Sequence, residues 1–470
     1  MRGLSPIAAV LLPMALAGCV MQPAPEIATP IPELPRTFFY EPEAETATAL
    51  AALMPQTDPA YRALSEAALA EGPSLAETLA RIDTARGNAR RAGANRLPDI
   101  SADGSVNRNR INTAQFGPAG EQGLIPAEQT SYGANINASW DLDIFGRLKA
   151  QERAALARID AATADAQGVR LALLADIAAN VTDWRTLDAR ASAIEADAAA
   201  ARQLAALAKV REDAGIAPGL DRVQAEATAS SSATRLAALD SERARLIGAL
   251  VTLTALDAST VRSALATPAP VLALSPPPAT LPSKLLTNRP DVISAAANLA
   301  ASDADLAAAA RARFPSITLS GVIGLLAFDP EDFFNDSLVG SLTGAIAGPL
   351  LDFGRVGAGI DSAAGDKRAA FAAYRGAVYQ ALGDAEEAYG VVTAADNEAR
   401  LSVNERDLLS RAARLSETRY RAGLASFLEV LEARRAADAS GERAAAALGR
   451  AHRARIVLWQ ALGGEVMAAQ

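Results

Sequence analysis

The chain has 470 residues, half of them apolar and only 4% aromatic, with a formal net charge of −9. A single Cys and a single His leave no ligand set for the usual zinc site and no pair for a disulfide. The acidic balance lacks the basic footprint of a nucleic-acid binder. His452 has no Gly-x-Ser-x-Gly elbow to work with, so no nucleophilic triad is in view. Composition therefore points away from an enzyme, a resident metal or any other cofactor.

The N-terminus reads as a targeting segment. Arg2 precedes an apolar run over 4–17, of signal-peptide length and too short to span a bilayer as a helix. The run ends in Leu16-Ala17-Gly18-Cys19, which resembles the signal of bacterial lipoproteins. That resemblance implies cleavage after residue 18 and acylation of Cys19. Several acyl chains anchor stably where one is marginal. Val20 after the Cys, where an Asp would imply inner-membrane retention, implies the outer membrane. Pro23, Pro25, Pro30, Pro32 and Pro35 then predict an extended tether, assigned to residues 19–73.

A first repeat is expected over 74–264. Leu75, Leu79 and Ile82 share a helical face, and Ser74 with Glu77 has capping-box spacing. A hairpin follows at about 98–145. Within it Tyr132, Ala134, Ile136, Ala138, Trp140, Leu142 and Ile144 alternate with polar residues or Gly, the mark of a strand with one wet and one apolar face. Residues 99–112 alternate more weakly, and 113–129 connect the two strands. Residues 148–213 contain no Pro and predict one long helix. Its small and apolar residues step by seven, through Leu173, Asn180, Leu187, Ile194, Ala201 and Ala208, and through Ile177, Trp184, Ala191, Ala198 and Ala205. Such a helix extends roughly 100 Å, more than a globular domain holds. A return helix is expected over about 220–256.

A Pro-rich linker at 265–284 separates this from a second repeat over 285–470. Its hairpin is expected at about 314–353, with strands over 316–327 and 338–351 flanking an acidic, aromatic loop. A long helix over 356–421 and a return helix over 426–462 complete it. Both hairpin strands lie in uncharged runs long enough for a tilted membrane strand of about 9–11 residues. The repeats align at a constant spacing of 208: Phe145-Gly146-Arg147 on Phe353-Gly354-Arg355, Ala214-Gly215 on Ala422-Gly423, Asp221 on Glu429. Four strands cannot close a barrel, and an open sheet edge is not tolerated in lipid. Three chains would supply twelve strands, an even number within the known range. The fold class expected is therefore mainly α with β, a homotrimeric α-helical barrel continued by a 12-stranded transmembrane β-barrel.

Four stretches in this order resemble the TolC-like outer-membrane factors, in particular the lipoprotein channels serving RND-type efflux pumps. They are Trp140-Asp-Leu-Asp-Ile-Phe-Gly-Arg147, Leu281-Pro-Ser-Lys-Leu-Leu-Thr-Asn-Arg-Pro-Asp291, Phe314-Pro-Ser-Ile-Thr-Leu319, and Arg419-Tyr-Arg-Ala-Gly423 with Leu428 and Glu432 behind it. The resemblance covers nearly all of the chain after Cys19. It implies an outer-membrane channel of a tripartite system, lipid-anchored and extending into the periplasm, with a periplasmic adaptor (membrane fusion protein) and an inner-membrane pump as partners. It also implies a closed periplasmic tip gated by Arg419, Tyr420, Leu428 and Glu432. The family often carries Asp at the position of Glu432.

The remaining candidate residues have structural readings. Gly215 and Gly423 supply positive φ at the tight turns, which the resemblance makes the adaptor-docking tip. In the two Phe-Gly-Arg motifs, the glycine lets strand pass into helix and the aromatic sits near the membrane boundary. Arg289-Pro290-Asp291 marks a helix start, and Trp184 is packing. Asp384, Glu386 and Glu387 line the lumen or face the periplasm. The same fold serving type I protein secretion or metal efflux is the rival function. A periplasmic scaffold without a pore is the rival class, and the strand-period segments count against it.

Overall fold

Ala, Leu, Glu and Arg fill the long Pro-free stretches, and Gly, Ser, Thr, Ile and Val the short alternating ones, so helix and strand separate cleanly along the chain. A computed structural model of the chain describes residues 25–41, 49–112, 115, 117–118, 126–270, 273–335 and 337–464. Cys19 and most of the expected 113–129 connection lie outside them. In chain order the elements are α1 (Pro59–Glu71), α2 (Pro73–Ala94), β1 (Asp99–Arg110), β2 (Glu128–Asp141), α3 (Arg147–Asp213), α4 (Gly219–Thr254), α5 (Ala258–Leu265), α6 (Pro290–Arg311), β3 (Ser316–Ala327), β4 (Leu338–Ala347), α7 (Arg355–Arg421) and α8 (Phe427–Ala461). The long helices α3 and α7 have 67 residues each.

The described chain divides into two units. One holds residues 25–30, Ile82–Ala161 and Ala295–Ala373, and the other Ile31–Arg81, Ala162–Ser294 and Tyr374 onward. The first contains the sheet. Its strands pair antiparallel in the order β1-β2-β3-β4. The register sets Ile100 beside Ala138, Ala102 beside Ile136 and Val106 beside Tyr132. It continues that row with Ile136 beside Ile323, Trp140 beside Leu319 and Gly321 beside Leu342. One face is thereby apolar across all four strands as far as Val106 and Tyr132, beyond which it carries Arg108, Arg110 and Glu128, and the other carries Asp103, Asn135, Asn137, Ser139, Ser320 and Thr343.

Two strands end earlier than alternation predicts. The first hairpin was expected to run to 145, but β2 stops at Asp141. Asp143 takes a positive φ of 44°, and its carboxylate accepts the backbone N–H groups of Leu148 and Lys149, each at 2.8 Å. The second was expected to reach 351, but β4 stops at Ala347. Pro349 follows and has no N–H for a ladder, and a side chain at Gly348 would stand 3.0 Å from Pro315.

The second unit holds the main core. The seven-residue seam of α3 is its spine: of its eleven residues all but Asn180 and Ala205 are buried. The extended tether expected over 19–73 is corrected here, because α1 lies inside that range. Leu53, Met54, Ala60, Tyr61, Leu64 and Ala68 are buried in the main cluster. Asp58 caps α1 by accepting from Ala60 N at 2.8 Å. The same buried carboxylate takes Arg185 of α3 at 2.9 and 3.1 Å. Phe38 packs at 5.3 Å against Tyr389 with the rings tilted by 40°, and the Tyr389 hydroxyl donates to Pro278 O at 2.7 Å. A residue ahead of the first repeat and one in the Pro-rich linker are thus both in contact with α7.

Candidate functional site

Three places carry candidate residues: the sheet's polar face, the strand-to-helix junctions, and the helix turns. On the polar face Asp103 is the central charge. Asn137 donates to one of its oxygens, and Asn135 to the other at 3.2 Å. Gly324 lies opposite Asn135 in the register, and a Cβ there would meet Asn135 Oδ1 at 2.3 Å. Glycine is what lets the asparagine lie flat beside its neighbour strand.

At the first junction Phe145 stacks on Phe314, with centroids 4.8 Å apart and planes 11° apart. Gly146 has φ 76°. Arg147 reaches back to Asp141 at 3.1 Å. At the second, Phe353 and Gly354 both have positive φ, 54° and 88°. The Phe353 ring is 92% exposed, and Arg355 opens α7. Asp352 accepts from Val356 N at 2.8 Å and Gly354 N at 3.1 Å. Those backbone donors, Val356 first, hold its carboxyl below the usual range. Asp143 and Asp352 were missed as helix caps. The signal was an acid shortly ahead of each Phe-Gly-Arg, within reach of the open N–H groups of the first helical turn.

The two turns share one hydrogen-bond pattern. Gly215 N donates to Glu212 O at 2.9 Å and Ile216 N to Arg211 O at 3.0 Å. Gly423 N donates to Tyr420 O at 2.9 Å and Leu424 N to Arg419 O at 2.8 Å. Each is a Schellman closure, in which the glycine's positive φ, 69° and 77°, satisfies carbonyls the helix end leaves open. The first turn is braced by Arg222 on Glu212 at 2.9 Å.

The expected gate residues separate in the structure. Tyr420 is buried with Leu204, Ala208, Ala225, Phe427, Val430 and Leu431. Its ring meets Phe427 edge-on at 5.8 Å. Arg211 lies over that ring at 4.6 Å and donates to Tyr420 O at 3.4 Å, which ties the two turns together. Arg211 was not anticipated. Leu428 is 54% exposed, and Glu432 is exposed as well. Arg419 approaches Glu429 at 3.8 Å and donates to Leu424 O at 3.4 Å. Glu429 lies in the first turn of α8 and is closer to the helix start.

Two other readings change. Arg289, expected only to mark a helix start, is buried and links three helices. It contacts Asp291 at 2.6 Å, Asp384 of α7 at 2.9 Å, and Ala461 O at the end of α8 at 3.2 Å. Glu386 accepts Phe39 N at 2.9 and 3.0 Å, so two of the three acids on that stretch of α7 hold other segments in place. Among the described residues no cluster of His, Cys, Asp or Glu could hold a metal ion. No single described helix is long and apolar enough to cross a membrane.

The family profile described as "Outer membrane efflux protein" matches residues 64–257 and 281–464, the two repeats. The pyoverdine export outer membrane protein OpmQ of Pseudomonas aeruginosa is 29% identical over 86% of this chain and 85% of its own. The solvent efflux pump outer membrane protein SrpC of Pseudomonas putida is 29% identical over 80% of this chain and 79% of its own. The crystal structure of a membrane protein from Pseudomonas aeruginosa superposes with a TM-score of 0.82 at 25% identity, covering 94% of this chain and 99% of that one. Repeats, sheet, long helices and matching turns thus agree with these likenesses: the chain belongs to the outer membrane efflux protein family and is an outer-membrane efflux channel.

Proposed function

We propose that three copies of this chain close a twelve-stranded barrel and serve as the passive exit duct of an RND-type tripartite pump. The observation that carries this reading is the sheet itself. Its outer strands β1 and β4 are unpaired on their far edges, yet its apolar face is continuous. Such edges are not stable in lipid unless another strand covers them. Because the four strands alternate in direction, β4 of one copy can pair antiparallel with β1 of the next. The apolar face then meets lipid, and the face with Asp103 and Asn135 lines the pore.

The finer assignments follow from the same arrangement. Acylated Cys19 anchors each copy to the outer membrane. The Gly215 and Gly423 turns present the tip to a periplasmic adaptor, and the inner-membrane pump supplies the energy. No residue acts catalytically. Leu428 and Glu432, exposed in one copy, meet their counterparts at the threefold axis and narrow the tip. Arg419 holds the turn beside them, and Tyr420 supports it from within. The two relatives are named for pyoverdine export and for solvent efflux, so the cargo proposed is small organic molecules.

Planar-bilayer recording tests the duct. Purified protein should give discrete conductance steps. Leu428→Ser with Glu432→Ala should raise their size, because an apolar constriction and its charged neighbour are removed together. A trimer that inserts but passes no current would contradict the duct. Unchanged conductance in the double variant would contradict the gate.

A further inference from the structure

Asp197 of α3 and Asp438 of α8 form a carboxyl pair within the three-helix packing above the turns. Asp438 is 8% exposed and is the side chain that acts most strongly on Asp197. Both line one small cavity with Ala201, Leu204, Ala225 and Arg434. Asp197 Oδ2 is buried and has no hydrogen-bond donor. A buried carboxylate oxygen without a donor carries an uncompensated desolvation cost, so a donor is expected.

The surrounding charges do not supply it. Arg235 of α4 comes only to 3.9 Å of Asp197 and is taken by Glu442 of α8 at 3.1 Å. Arg190 of α3 also goes to Glu442, at 3.5 Å. Arg434 of α8 is held by Glu417 of α7 at 2.5 Å. The facing groups are therefore Arg190, Arg235 and Arg434 against Asp438, Glu442 and Glu417, and each arginine is already engaged by a glutamate.

We propose that Asp197 and Asp438 share one proton that bridges α3 to α8, and that its loss at rising pH loosens the helices bordering the periplasmic turns. Two adjacent ionised carboxylates repel, and a shared proton turns repulsion into a hydrogen bond. Burial first, then Asp438, pushes the Asp197 carboxyl up to about 8. A raised carboxyl means the folded chain holds more protons than the unfolded one between the ordinary carboxylate range and that value. The pair's contribution to packing is thus present at lower pH and lost as pH rises through about 8. Asp197 precedes Gly215 by 18 residues and Asp438 follows Gly423 by 15, so both sit roughly 25 Å of helix from the turns.

The test uses the full-length assembled protein in detergent. Infrared titration should show a protonated-carboxyl band at neutral pH that disappears with a midpoint near 8 and is missing in Asp197→Asn. The asparagine is isosteric, stays neutral and donates to Asp438. Hydrogen exchange over 194–204 and 431–442, compared between variant and wild type at each pH, should match at neutral pH. At higher pH the wild type should exchange faster than the variant at the same pH. A wild type without the band, or equal exchange in both proteins at every pH, would overturn the proposal. Asp438→Asn should behave as Asp197→Asn does, and it replaces that variant if the first does not assemble. The inference rests on the duct reading for its functional consequence only. Absent conductance with the exchange difference intact would fault the duct and leave the shared proton standing.

Discussion

Arg289 and Arg211 are single side chains that each hold several backbone segments together. Arg289 has 11% of its side chain exposed and two carboxylates around it. Removing it leaves Asp384 with one partner fewer and Ala461 O without its side-chain donor. Arg289→Ala should cost about 1–3 kcal/mol, the scale for lost charge-assisted hydrogen bonds, because Asp291 and Asp384 stay partly solvated once it is gone. The thermal midpoint of the assembled protein reads this, and a midpoint equal to wild type would refute it. Neither arginine was legible as a fastener. Arg289 sits in a motif whose proline suggests a helix start, and its partners lie 95 and 172 residues away. Arg211 has no local pattern at all, since its target is the Tyr420 ring of the other repeat. Asp143 and Asp352 were within reach of sequence reasoning, because an acid ahead of a helix is a local signal.

Periodicity exposed the elements, and their ends were set by chemistry that periodicity does not encode. Alternation continues through Ile144, but the positive φ at Asp143 takes the backbone out of the ladder. The heptad seam of α3 was readable because burial repeats with the helix. The packing of residues 31–41 and 49–71 was not. Its prolines suggested a tether, whereas Asp58 and the apolar set around Leu64 make contacts only when distant helices come together. The turns were readable from Ala-Gly alone, and their geometry gives a direct expectation. A Cβ at Gly423 meets no atom within 4 Å, so Gly423→Ala adds only the strain of its φ of 77°. That strain is about 1 kcal/mol. Chemical denaturation should show a loss of that size, and a neutral or stabilising effect would mean the turn is not held left-handed.

At the scale of the whole molecule, the constant spacing of 208 makes two copies of one unit visible in the sequence. The register then joins both hairpins through β2 and β3 into one sheet, leaving one free edge from each repeat. The alternating pattern predicted the strands, but pairing between the repeats is non-local and had no sequence signal. Membrane attachment is a separable property of the whole chain. Cys19→Ser should remove acyl mass while the strands still insert, read by intact mass and by membrane fractionation. Wild type without acyl mass would contradict the anchor. The central claim is that the free edges of β1 and β4 meet between copies. Native mass spectrometry of full-length protein extracted from bacterial outer membranes tests it most directly. The account predicts a homotrimer; a stable monomer in the membrane extract would contradict closure between chains, and with it the pore.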